Sequence, residues 1–388
     1  MTGSSRWRSA ESKSTSAGGS APKTAARPRP STSPAMRCAD SSTTSQKPHD
    51  ALNRDVTGFS TPMQSYFQHV TLPAHVGVTR RRAKAMAADL GLSEALQSDL
   101  AVVVTELGTN LVRHAGGGEL IVSPCEHPAA VDVISIDEGP GLPPQAWQDG
   151  WSSKDSTGIG LGAVQRLATQ VSSRDLPGGG TVIAARVQDA LHAPQRPYCL
   201  QHLQLPAHGE YVCGDSFGVD DGPQRLRLVL LDGLGHGPHA RHASQIGCAA
   251  ALRCPGGPAA ALWQAHDHIH RSAGRGAVGA VADIDPTGRL TVAIVGNIAV
   301  RTLGDHDLKG YAERPGTLGR LTGRPREYSH HLQPGDLLLM HSDGISHRWT
   351  GNLSRWGRPG NLLGAMLRDY RSATDDITAL ALQWQPAG

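Results

Sequence analysis

Glu106 to Ala115 reads Glu-Leu-Gly-Thr-Asn-Leu-Val-Arg-His-Ala, and two glycine-bearing turns follow in order. They are Asp-Glu-Gly-Pro-Gly at 137–141 and Gly-Ile-Gly-Leu-Gly at 158–162. One such turn says little in a chain with 46 Gly. The ordered trio says much more, because it offers an acid and an amide on a helix and then two turns through which backbone can approach a nucleotide.

Geometry supports the helix. Ser93 suits the N-cap, Glu94 favours the helix start, and Gly116 to Gly118 end it. At roughly 100° per residue, Leu96, Leu100, Val103, Val104, Leu107 and Leu111 fall on one broad face. Asp99, Glu106, Asn110 and Arg113 form a narrow neighbouring stripe. A solvated face is the ordinary explanation of such a stripe. Asn, however, competes for backbone hydrogen bonds in a helix. An Asn one turn after a Glu fits a Mg²⁺ ligand beside a general base.

The turns follow the same chemistry. Val131 to Ile136 reads as a strand, and Asp137 stands where it runs out, able to accept a hydrogen bond from an adenine amino group. Gly139 and Gly141 leave no side chain against a base. Gly158, Gly160 and Gly162 precede a helix start, Ala163 to Ala168, whose free N–H groups suit phosphate. Gly178-Gly179-Gly180-Thr181 then leads into a strand over Val182 to Val187.

On these motifs, residues from about 66 to 188 resemble the GHKL ATPase superfamily, and most closely its small anti-sigma-factor serine kinases of the RsbT type. The resemblance implies an α/β sandwich (the Bergerat fold) over 64–188 that binds ATP with Mg²⁺. It makes Glu106 the base for a substrate hydroxyl, Asn110 the metal ligand and Asp137 the adenine reader. Gly139, Gly141, Gly158, Gly160, Gly162 and Thr181 then line the nucleotide site. The 16 residues between Gly141 and Gly158 leave a short lid. No phospho-accepting His helix pair precedes the domain, which argues against a sensor histidine kinase.

With 388 residues the chain suits two domains and a tail. Its 37 basic and 34 acidic residues are too evenly balanced to argue for nucleic acid. No stretch approaches the ~18 apolar residues of a membrane span. Six Cys without a CxxC pair read as free thiols in a reducing cytoplasm. Residues 1–62 are rich in Ser, Thr, Pro, Ala and Arg, with only Glu11, Asp40 and Asp50 acidic in the first fifty. Such a segment cannot offset the entropy of ordering, so a disordered tail is expected.

A new pattern begins after a short linker near 189–196. Arg225 to Leu231 and Leu337 to Met340 read as apolar strands ending in Asp232-Gly233 and Asp343-Gly344. Asp375-Asp376 opens a last strand, Ala379 to Trp384, and Cys213-Gly214-Asp215 lies upstream. Turn chemistry explains each case alone. Taken together, the strand-end carboxylates form a hard-oxygen pocket for Mg²⁺ or Mn²⁺. Two such ions roughly 3.5–4 Å apart can activate water and clamp a phosphoryl group. His236, His239 and His242 have no Cys partner at ligand spacing and read as surface residues.

The array over 196–386 resembles the SpoIIE-like branch of the PPM-type metal-dependent serine/threonine phosphatases. Val295-Gly296-Asn297-Ile298, placed in a middle hairpin, is similar to its RsbX subgroup. The resemblance implies an α-β-β-α sandwich in which Asp232 bridges both metals, Gly233 offers a carbonyl, and Asp215, Asp343 and Asp375 complete the site. Asp376 takes the place of the family's non-ligand neighbour. The fold class is therefore α+β, with one sandwich following the other. The two resemblances together imply a cytoplasmic kinase–phosphatase acting on STAS-domain anti-anti-sigma proteins, phosphorylated and unphosphorylated, in a pathway that controls a sigma factor. Pairing of two chains as a homodimer is left open. A second reading makes the ATP-binding half a nucleotide-gated docking module with little kinase turnover.

Overall fold

The computed structural model describes residues 63–126, 128–147, 160–189, 196–272, 274–304, 308–349 and 357–386. The expected tail, most of the lid and Gly158 lie outside them. Chain contacts gather His49–Gly388 into one unit.

The first half contains β1 (Tyr66–Val70), α1 (Pro73–Asp89), α2 (Glu94–His114), β2 (Gly118–Glu126), β3 (Ala129–Ile136), α3 (Gly160–Leu167), β4 (Gln170–Asp175) and β5 (Thr181–Gln188). Its five strands form an antiparallel sheet in the order β1-β2-β3-β5-β4. The predicted helix starts where expected, with the Ser93 side chain accepting from Leu96 N. Leu100, Val103, Val104, Leu107 and Leu111 are buried against the sheet.

The second half adds β6 (Tyr198–Leu205), β7 (Ser216–Asp221), β8 (Leu226–Gly233), α4 (Gly237–Arg253), α5 (Pro258–Ser272), β9 (Ala277–Ile284), β10 (Arg289–Val295), β11 (Ala299–Leu303), β12 (Leu308–Gly310), β13 (Tyr328–His331), β14 (Leu337–His341), α6 (Pro359–Tyr370) and β15 (Ile377–Trp384). One sheet runs β13-β10-β9-β8-β7 and the other β12-β11-β14-β15-β6. Strand alternation shows how they stack. Leu228 and Leu230 pack with Leu338, Met340, Leu380 and Leu382 between the sheets, while Val229 and Leu231 face α4 and α5. The result is the expected α-β-β-α sandwich. The segment expected to be a hairpin is not one: β10 and β11 belong to different sheets, so Gly296 to Ile298 carries the chain across the sandwich.

The outer face of the β14–β15 sheet does not stop at α6. Leu337, Leu339, Ala379 and Ala381 share one core with Leu362, Leu363 and Met366 of α6 and with Ile121, Ile134, Val182 and Ala184 of the first sheet. Helix α6 therefore lies between two sheets, and Pro359 to Leu367 are all buried. A helix buried on all sides over its first nine residues belongs in such a place. Gly360 and Gly364 let it approach: a Cβ on Gly364 would stand 2.6 Å from Val182 Cγ1, and one on Gly360 would stand 2.5 Å from Ala184 Cβ.

Several polar groups bridge this seam in pairs. Arg186 binds Asp132 through two 2.7 Å bonds and also donates to Leu200 O; Gln201 Nε2 donates to Asp132 Oδ1 at 2.9 Å. Ser65 N donates to Gln204 O, and Gln204 N donates back to Ser65 Oγ, both at 3.0 Å. Such a seam joins the halves in cooperative unfolding. Gly364→Val should overpack it and cost about 1–3 kcal/mol. Calorimetry of the full chain should show one transition shifted to lower temperature; two transitions, only one of them shifted, would show the halves to be independent.

Candidate functional site

A cavity of about 290 Å³ opens between the C-terminal part of α2 and the turns after β3 and before β5. Asn110, Asp137, Gly139, Gly141, Gly160 and Thr181 line it, all of them named by the sequence. Gly162 is buried inside α3 and is not among the lining residues, and neither is Glu106. Glu106 stands one turn before Asn110 on α2. Partial burial raises its carboxyl above the ordinary glutamate range, against the pull of Arg113.

Asp137 is fixed by backbone. Gly139 N and Thr181 N donate to its Oδ1 at 2.8 and 3.2 Å. Among the described residues both bonds fall on Oδ1, so Oδ2 is the oxygen left to a ligand. Burial raises this carboxyl too, and the two N–H groups work against the rise. A carboxylate acceptor, an Asn amide and a glycine-walled slot fit a purine nucleotide with its metal. Cys199, Cys213, Cys248 and Cys254 are buried and form no disulfide, in line with the reading of free thiols.

The second site lies at the ends of β8, β14 and β15. Asp232 is pushed far above the ordinary aspartate range, first by burial and then by Asp215, Asp343, Asp375 and Asp376 around it. Asp215 is buried and raised for the same reasons, although Ser342 Oγ donates to its Oδ2 at 2.7 Å. Carboxylates crowded in this way lack a positive charge, and hard oxygen donors select Mg²⁺ or Mn²⁺. Among the described residues, Cys213, Asp215 and Asp376 also place donor atoms within 4.8 Å of one another. Gly233 must be glycine, because a Cβ there would collide with the backbone of Ala240 in α4.

The Asp375–Asp376 pair divides its work. Asp376 Oδ1 accepts from Ala207 N at 2.8 Å and Oδ2 from Gly214 N at 2.9 Å, so it ties two loops together. Asp375 is partly exposed, and burial and Asp343 raise its carboxyl. Asp376 is thus a brace between two loops, and Asp375 is the less constrained carboxylate of the pair. Three positioning residues escaped the sequence reading. Asn297 Nδ2 donates to Asp343 Oδ2 at 2.6 Å, from the crossover first taken for a hairpin. Arg241 donates to the carbonyl oxygens of Asp215 and Cys213. His341, held neutral by burial with its pKa lowered to about 3, accepts from Trp349 Nε1 at 2.9 Å and bonds Ser342 O at 2.8 Å. His236, His239 and His242 are exposed, as expected of surface residues.

Protons and cations should compete for Asp215 and Asp232, whose pKa values are raised. Affinity for Mn²⁺ should therefore increase with pH, and binding should release protons. Titration calorimetry in buffers of different ionisation enthalpy should detect that release; a heat independent of buffer would count against the crowded-carboxylate account.

Residues 70–186 match the family described as histidine kinase-like ATPase domain. The serine/threonine-protein kinase RsbT of Bacillus subtilis (strain 168) is 29% identical over 110 residues, which cover 27% of this chain and 83% of that protein. Two solved structures are similar. RsbX in complex with magnesium is 19% identical and covers 48% of this chain and 94% of its own, with a TM-score of 0.42. The RsbU and RsbW domains of Rv1364c from Mycobacterium tuberculosis are 21% identical and cover 49% and 62%, with a TM-score of 0.43. Among the described residues no helix is long and apolar enough to cross a membrane. The chain thus joins a first half that matches the histidine kinase-like ATPase domain over residues 70–186 and is similar to RsbT to an α-β-β-α sandwich with a carboxylate cluster at its strand ends.

Proposed function

We propose that this chain is a two-activity regulator: an ATP-dependent serine/threonine kinase in its first half and a Mg²⁺- or Mn²⁺-dependent phosphoserine/phosphothreonine phosphatase in its second. Its substrates are STAS-type antagonist proteins in a sigma-factor partner-switching pathway in the cytoplasm. The observation that carries the kinase half is the placing of Glu106 one turn before Asn110, with Asn110 and Asp137 lining one cavity. The similarity to RsbT agrees with it.

In this reading Asp137 Oδ2 accepts from the adenine amino group, and Asn110 would hold a Mg²⁺ ion, which would supply neutralising charge to the phosphates. Glu106 takes the proton of the substrate hydroxyl as its oxygen attacks the γ-phosphorus in line with the departing ADP. Positioning and charge neutralisation do most of the work in such transfers. A base with a raised pKa loses its function at a higher pH than an ordinary carboxylate would. The acid limb of the kinase profile should therefore lie above the usual glutamate range.

In the second half, Asp215, Asp232, the Gly233 carbonyl, Asp343 and Asp375 would hold divalent ions, which supply an activated water and bind the phosphoryl oxygens. Asp232, with the other four carboxylates around it, would be the residue best placed to share in holding them. Asn297 and Asp376 hold their neighbours in position.

Glu106→Gln should bind Mg-ATP nearly as wild type does and lose about 10²–10⁴-fold in phosphotransfer to a STAS protein. Asp232→Ala should lose metal-dependent phosphatase activity on the phosphorylated STAS protein while its ATP affinity persists. Single-turnover transfer from labelled ATP reads the first effect, and phosphate release with added Mn²⁺ reads the second. Wild-type protein that binds ATP but transfers no phosphate would favour a nucleotide-gated docking role, and full phosphatase activity in Asp232→Ala would remove the second half of the reading.

A further inference from the structure

The turn that leads into Thr181, a residue of the nucleotide cavity, is held from the other half of the chain. Gly178 to Gly180 links β4 to β5, and it touches the Asp137 turn directly, through Gly180 N donating to Gly139 O at 2.9 Å and Thr181 N donating to Asp137 Oδ1 at 3.2 Å. On its far side, Arg368 near the end of α6 donates from Nη1 to Gly179 O at 2.7 Å and from Nη2 to Pro177 O at 3.2 Å. Asp369 orients the guanidinium by accepting from Nε at 2.6 Å and from Nη2 at 3.0 Å. The side chain is only 15% exposed. Arg368 and Asp137 also line the same cavity of about 420 Å³, which meets the nucleotide cavity at Ala115 and Asp137.

We propose that Arg368, contributed by α6 of the second half, is a positioning residue of the nucleotide site: it clamps the 177–180 turn so that Thr181 N holds Asp137 in the orientation that reads adenine. The inference rests on the assignment of Asp137 as the adenine reader. A carboxylate held by two N–H groups on one oxygen presents the other in a fixed direction. Loosening the turn frees one of those donors, and the carboxylate then loses its aim. The positive charge of Arg368 also favours the ionised, accepting form of Asp137. Arginine suits the task because its planar fork spans two carbonyls and a carboxylate at once, which a point-charge ammonium cannot do.

Adenine offers an amino group to Asp137, whereas hypoxanthine has a carbonyl oxygen at that place. The full-length protein should therefore bind Mg-ATP more tightly than Mg-ITP, by about tenfold or more. Arg368→Met keeps the apolar stem and removes the fork. It should weaken ATP binding and leave ITP binding nearly unchanged, bringing the ratio to within about threefold of unity. Arg368→Lys should recover part of the preference. Titration calorimetry of both nucleotides on the three proteins reads these ratios, and thermal unfolding without nucleotide checks folding. Equal losses for ATP and ITP would make Arg368 a structural residue only and overturn the proposal. An unchanged ratio in Arg368→Met, with wild type still preferring ATP, would overturn it while sparing Asp137. A wild type indifferent to the base would remove the Asp137 assignment and this proposal with it.

Discussion

Burial of α6 between two sheets governs the arrangement of everything else. The first sheet has α1, α2 and α3 on one face, and its other face needs a cover. The β14–β15 sheet has its partner sheet on one face and the same need on the other. A single twelve-residue helix answers both. Its i and i+4 glycines, Gly360 and Gly364, bring the backbone against β3 and β5, and Leu362, Leu363 and Met366 fill the rest of the core. The two candidate sites inherit their placement from this helix. Arg368 on its last turn reaches the 177–180 turn. Just beyond it, Arg371 binds Glu119 at 2.6 Å, and Ser372 N donates to Gly344 O at 2.7 Å beside Asp343.

At the carboxylate cluster the opposing force is like-charge repulsion, and the fold contains it with neutral donors. Ser342 bonds Asp215, Asn297 bonds Asp343, and two backbone N–H groups bond Asp376. One charged group, the buried Arg241, reaches the Asp215 loop through its carbonyls. These bonds fix the loops, yet Asp215 and Asp232 keep raised pKa values, so the charge deficit stays with the oxygens that face the centre. A site braced in this way is prepared for a cation and does not collapse around its own side chains.

Local chemistry made the elements and most site residues legible. The Ser93 cap, the apolar stripe of α2 and the Asp-terminated strands follow from periodicity and turn preference, and each took its expected form. Asn110, Asp137, Gly139, Gly141, Gly160 and Thr181 converge because a helix end and two turns meet at one edge of a sheet. Long-range partners were not legible. Asn297 sits in a Val-Gly-Asn-Ile segment that looks like a hairpin tip, and nothing local distinguishes a turn within a sheet from a crossing between sheets. Arg227, fully buried and bonded to Asp283 and to the last carbonyls of α4, looks in sequence like an ordinary strand charge.

The shared core was hidden for a related reason. Ile121, Ile134, Val182 and Ala184 occupy alternate positions that would, in an isolated sandwich, face solvent, and the run of apolar residues in β2, β3 and β5 already signals two buried faces. The sequence shows the need for a cover but not its source, which lies about 180 residues downstream in α6. Cutting the chain in the 190–195 linker would therefore expose the Ile134 and Val182 face on one fragment and the Leu362 and Met366 face on the other. Exposed apolar patches of that kind promote association. The intact chain is therefore the unit in which both candidate sites keep the packing described above.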